Sequence, residues 1–173
     1  MSALRRVLPP VVLALSVLAG PAGAQPVSAP NPLLGAWEMQ AVHWIQGAAR
    51  NTVSPAQPGL FLFTEQRYSI MWTPTRGPRT PFGQLSNPTD AETISGFRSV
   101  VFNAGSYELA ANTLTTTAQI AKVPGFEGGR QFFRVMLEGD QLTLTMFDET
   151  YPGGVKPDWA GKVQTQFVLK RVR

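Results

Sequence analysis

The feature that most constrains this chain is a succession of short runs in which apolar residues return at every second position, each run closed by a turn. Gln131–Glu138 carries Phe133, Val135 and Leu137 on one side, and Gln141–Phe147 carries Leu142, Leu144 and Met146. In Val163–Val172 the alternating residues are Phe167, Leu169 and Arg171, while Gln164 and Gln166 face the other way. A period of two is the mark of a half-buried β-strand, because successive side chains leave the backbone on opposite faces. Gly139-Asp140 and the Asn-containing Ala111-Asn112 are short enough to join neighbouring runs as hairpins. With 16 Gly and 15 Pro in the chain, turns are plentiful and long helices are not.

The pattern begins at Gly35, with Trp37, Met39, Ala41 and His43 on one face and Glu38, Gln40, Val42 and Trp44 on the other. Residues 46–57 are polar and read as a loop. Gly59–Phe63 and Tyr68–Trp72 form a hairpin about Thr64-Glu65-Gln66-Arg67, apolar on nearly every residue, so either face can point inward. Residues 73–88 hold four prolines and read as a long loop, whose Arg76 and Arg79 suit a lid over a cavity mouth. Thr89-Asp90-Ala91-Glu92 fits a capping box, and Ile94, Phe97 and Val101 follow at helical spacing. A helix is therefore expected over 90–101, its apolar stripe laid on the strands, followed by a turn at Asn103-Ala104-Gly105. Ser106–Ala110 and Thr113–Val123 complete the count at eight strands.

The expected fold is all-β: an eight-stranded antiparallel up-and-down barrel with one short helix between strands 3 and 4. Eight strands close without free edges, around an interior that takes side chains or one small ligand. An open two-sheet sandwich is the alternative that the spacing leaves open. Ahead of the barrel, Arg5 and Arg6, the apolar run Val7–Ala19 and Pro21-Ala22-Gly23-Ala24 have the three parts of a secretory signal peptide. The expected organisation is a signal peptide at 1–24, a Pro-rich lead-in at 25–32 and the barrel over 33–173, in a periplasmic or secreted protein with no membrane segment after cleavage.

Cleavage removes two cations from a net charge of only +4, and the remaining basic residues are scattered, so no nucleic-acid partner is expected. The absence of Cys rules out disulfides, thiol catalysis and Cys-ligated metal, and a single His rules out a multi-His site. No metal or cofactor is expected. The glycines at 125, 128, 129, 153 and 154 lie in turns, none between a strand and a helix where a phosphate would be cradled. Asp148 and Glu149 are adjacent in a strand and point oppositely, so they do not make an acid/base pair.

Gly35-Ala36-Trp37 at the head of the first strand resembles the G-x-W of lipocalins and their relatives, and Lys170 or Arg171 stands where such barrels carry a basic residue over that Trp. Residues 58–64, 68–71, 105–109, 112–116 and 137–145 extend the likeness, which is to the bacterial lipocalin-like domain proteins. It implies a barrel with a small-molecule cavity, and it carries over neither a ligand nor a catalytic residue. Trp37 and Arg171 are expected to form a structural plug at one barrel end. The expected function is binding of a small, largely apolar molecule in the interior, lined by Met39, Phe133, Val135, Leu144 and Met146 with His43 and Tyr107 as polar contacts. Tyr68 and Tyr151 are further sources of a phenolic hydroxyl. Two alternatives stand beside this reading. One is an isomerase or cyclase with His43 and Tyr107 converging in one cavity. The other is a solid structural or protein-interaction module with Val42 and Trp44 on its outer face.

Overall fold

The computed structural model describes residues 31–173; the expected signal peptide at 1–24 and the expected lead-in as far as Pro30 lie outside the described residues. Nine strands and one helix follow in order: β1 (Gly35–Gln46), β2 (Ala49–Val53), β3 (Gly59–Phe63), β4 (Arg67–Trp72), α1 (Asp90–Arg98), β5 (Val101–Ala110), β6 (Thr113–Ala121), β7 (Arg130–Glu138), β8 (Gln141–Thr150) and β9 (Gln164–Arg171). Every strand pairing is antiparallel, and β9 returns to pair with β1. That pairing closes the barrel, so the sandwich alternative is excluded. β3 pairs with Gly35–Glu38 and β2 with Val42–Gln46, both along the same side of β1. The two occupy one strand position end to end, and the closed barrel has eight positions.

β2 is the strand that the polar stretch 46–57 conceals. Four of its five residues are exposed, with only Val53 buried, so it has no apolar alternation to read. It exists because Gly47, at φ +57°, turns the chain back onto β1. Its presence moves α1 to between the fourth and fifth strands rather than the third and fourth. The capping box is present: Thr89 Oγ1 accepts from the Glu92 amide, and the Glu92 carboxylate accepts from the Thr89 amide at 2.7 Å. The helix nevertheless ends at Arg98, and Val101–Gly105 belongs to β5, because Val101–Asn103 pairs with Ile70–Trp72 of β4. Its stripe does not pack on the barrel either: no helix residue is buried, and Ile94 and Phe97 are 52% and 48% exposed.

Two bulges decide which residues face inward. On β1 the register against β9 shifts between Met39 and Ala41. Trp37 and Met39 point into the barrel as expected, but beyond the bulge Val42 and Trp44 join the core and His43 turns outward. The expectation that Val42 and Trp44 lie on the outer face is thereby corrected. On β8 the register against β7 shifts across Phe147, so Glu149 stands opposite Gln131 on the inner face while Asp148 pairs outside with Lys156.

The end of the barrel where β1 begins is closed. Trp37 is fully buried, its indole N–H donates to the Leu33 carbonyl at 2.8 Å, and the Arg171 guanidinium lies 4.0 Å from its ring centroid. Arg171 also donates to the carbonyls of Leu34 at 2.7 Å and Pro32 at 3.1 Å. Gly35 enters at φ +113°, a conformation that favours glycine. The centre is filled by rings, with Phe167 packed 5.1 Å from Phe61 and 5.0 Å from Trp72, which in turn meets Trp44 at 6.2 Å.

Candidate functional site

At the other end, on the side of β5 to β8, the interior changes character. Asn103 follows from the early start of β5, Gln131 opens β7 on the same face as Phe133, and the β8 bulge brings Glu149 in beside them. These side chains form a directed chain. Tyr68 Oη donates to Asn103 Oδ1 at 2.6 Å, Asn103 Nδ2 donates to Gln131 Oε1 at 3.2 Å, and Gln131 Nε2 donates to Glu149 Oε2 at 2.8 Å. Every donor points toward the carboxylate. The two carboxamides in series thus end on a carboxyl oxygen that accepts, leaving the second oxygen of Glu149 outside the chain.

Above this chain lies a cavity of about 460 Å³, whose floor is Asn103, Gln131 and Glu149 and whose walls include Val101, Ala121, Val123, Phe126 and Tyr151. The volume is in the range of small-molecule sites, as is the combination of apolar walls with a few polar groups. Phe126 and Tyr151 meet edge to face at 6.2 Å on one rim. Lys122 lines another part, its Nζ 4.5 Å from the centroid of the Phe97 ring of α1.

Burial controls the titration of this site. Desolvation raises the Glu149 carboxyl, with the hydrogen bond from Gln131 opposing it. The same cause pushes Tyr68 up to about 12, keeping it a neutral donor, and lowers Lys122.

None of the seven residues expected to line a ligand cavity borders this one. Met39, Phe133 and Leu144 are solid core, and Val135 and Met146 pack against it. Tyr107 does point inward, but at the closed end: it donates to the Thr64 carbonyl at 2.6 Å and accepts from Asn31 Nδ2 at 2.6 Å. His43 is on the outside, its Nδ1 2.8 Å from Thr52 Oγ1, and burial together with Arg50 lowers its pKa. The expectation of His43 on the inner face is corrected by the β1 bulge, and His43 and Tyr107 do not converge. Of the three tyrosines considered, Tyr68 anchors the polar chain and Tyr151 stands at the rim.

Sequence reasoning missed Asn103, Gln131 and Glu149. Gln131 was within reach, sharing the parity of Phe133 and Val135. Glu149 was not, since strict alternation from Leu142, Leu144 and Met146 puts it outside. The loop carrying Arg76 and Arg79 also lies elsewhere: Arg76 bonds Asn51 and the Thr52 carbonyl of β2, and Arg79 bonds Ser99.

Comparison with known proteins adds two findings. A family profile described as a lipocalin-like domain matches residues 34–171. A solved structure of an uncharacterized protein from Bacteroides eggerthii is similar at 12% identity, covering 81% of this chain and 99% of that one, with a TM-score of 0.41, a likeness too distant to bear on function. A search of curated proteins returns no match.

Proposed function

Because this chain belongs to the lipocalin-like domain family, we propose that it binds one small, largely apolar molecule, held at the open mouth between β5 and β8 rather than in the barrel centre. The observation that carries this reading is the contrast within one interior. Packed rings occupy the middle, while a cavity of about 460 Å³ with apolar walls opens above Asn103, Gln131 and Glu149. Burial of a ligand's apolar body against Val101, Val123 and Phe126 drives binding, and the polar floor sets its orientation. Among the described residues no helix is long and apolar enough to cross a membrane. Export to the periplasm or the exterior belongs to the same proposal, supported by the charge, apolar run and small-residue exit of Met1–Ala24.

The neutral apolar dye N-phenyl-1-naphthylamine tests the site. Its fluorescence is expected to rise with the wild-type protein and to fall back with Val123→Glu, which charges the cavity wall at a residue already 55% exposed. Equal enhancement by the variant places binding elsewhere, and no enhancement at all removes the proposal. Export is checked by the mass of the protein recovered from its host, expected to begin at Gln25.

A further inference from the structure

Resting on that reading of the mouth as a binding site, we infer that its ligand is an amphipathic amine, whose ammonium group pairs with the free oxygen of Glu149 while its apolar body lies along the cavity walls. Glu149 is 9% exposed, and only one of its oxygens is engaged, accepting from Gln131 Nε2 at 2.8 Å. Its other oxygen accepts no hydrogen bond from the described residues and is not sealed off from the cavity. A carboxylate this enclosed ordinarily has a cation beside it. No Lys, Arg or His among the described residues comes within 4.0 Å of it.

The groups that face Glu149 leave that position to a ligand. Gln131 and Asn103 are neutral and are aligned to support negative charge, and Tyr68 at the end of the chain is a neutral donor. Tyr151 and Lys122 line the same cavity, but the Lys122 ammonium sits over the Phe97 ring of α1. Asp148 and Arg130 are on the outer face, held by Lys156 and the Phe132 ring respectively. The floor therefore presents one acceptor with negative charge, in a cavity whose lining also includes the apolar side chains of Val101, Val123 and Phe126. An ammonium on a hydrocarbon body matches both. An anionic head group meets the carboxylate at the floor, and a neutral alcohol forms a hydrogen bond without the charge.

Octylamine, 1-octanol and octanoate share one chain length and differ in head group, so calorimetric titration of each separates the possibilities. At pH 7.5 octylamine is expected to bind at least about tenfold more tightly than 1-octanol, because only the ammonium adds attraction between two opposite charges to the hydrogen bond. Glu149→Gln is expected to reduce octylamine to the level at which octanol binds the same variant. A second measurement needs no variant. Octylamine affinity of the wild-type protein should fall as pH drops through the elevated Glu149 pKa, whereas octanol affinity stays flat.

Octanol binding as tightly as octylamine overturns the amine assignment and leaves the cavity a general apolar site. Tighter binding of octanoate overturns it in favour of Lys122 as the anchor. Failure of all three, together with no enhancement of the neutral dye, removes the binding site itself and the inference with it.

Discussion

Replacing Arg171 by Lys keeps the charge at the closed end and removes the shape, which isolates what the guanidinium contributes. In the native barrel it does three things at once: it lies 4.0 Å from the Trp37 ring centroid and donates to the carbonyls of Leu34 at 2.7 Å and Pro32 at 3.1 Å. A lysine has one terminal nitrogen and cannot reach both carbonyls while lying flat on the indole. The Arg171 side chain is 30% exposed, so the stacked contact is worth about 1 kcal/mol rather than the upper value for a desolvated pair. The part-buried bond to Leu34 adds about 1–1.5 kcal/mol, and the exposed one to Pro32 at most about 0.5. Asp140, at 4.0 Å and half exposed, adds little. Arg171→Lys should therefore lose about 2 kcal/mol and Arg171→Ala about 3 kcal/mol. Urea unfolding followed by tryptophan fluorescence measures this as a lower midpoint at constant slope. In thermal unfolding the drop should be about 4–8 °C for Lys and about 6–12 °C for Ala. A Lys variant within about 0.5 kcal/mol of wild type would show that charge alone closes this end, and would refute the geometric account.

Three other substitutions test the packing and the buried carboxyl. Gly105→Ala puts a Cβ against the Thr117 carbonyl oxygen and 2.8 Å from the Gln119 amide nitrogen, at the bulge of β6. It should cost about 2–3 kcal/mol or prevent folding, measured by urea unfolding or by loss of soluble protein. Tyr107→Phe removes the donor to Thr64 and the acceptor for Asn31 without changing the ring, and should lower stability by about 1–2 kcal/mol in the same assay. Glu149 has a folded-state pKa raised by desolvation, so the folded state holds its proton longer than the unfolded chain. Its contribution to stability is fully present below the unfolded carboxyl value, about 4.3, and is lost as pH rises through the higher folded value. Glu149→Gln removes that dependence, so its stability relative to wild type should rise with pH across this window. A difference that stays flat or falls between acid and neutral unfolding curves contradicts the burial of this carboxyl.

Much of the architecture was legible because it rests on local periodicity. The alternation in β7, β8 and β9, the two tight hairpins and the capping box of α1 each involve residues close in sequence, and each is where the pattern put it. Trp37 and Arg171 stand opposite each other once β1 and β9 pair, with the guanidinium over the ring. The site was not legible, and strand bulges are the main reason. A strand's alternation holds only until a bulge, and then every following side chain changes face. The bulge on β1 sends His43 out and brings Val42 and Trp44 in; the bulge on β8 brings Glu149 in. Asn103 was hidden by its neighbours, because Asn103-Ala104-Gly105 looks like a turn and is held extended by β4 and β6.

By itself, then, the sequence determined an antiparallel all-β chain, its strand count of eight and the start of its helix, which follow from side-chain spacing and turn chemistry; the choice of barrel over sandwich was made by the pairing of β9 with β1. Tertiary structure decided the rest: a ninth short strand with no apolar pattern of its own, a centre filled by Phe61, Trp72 and Phe167, and a polar-floored cavity displaced to the mouth. The polar floor depends on the extra residue that β8 takes up against β7, and that is settled by the neighbour across the ladder rather than by the residues on either side in the chain.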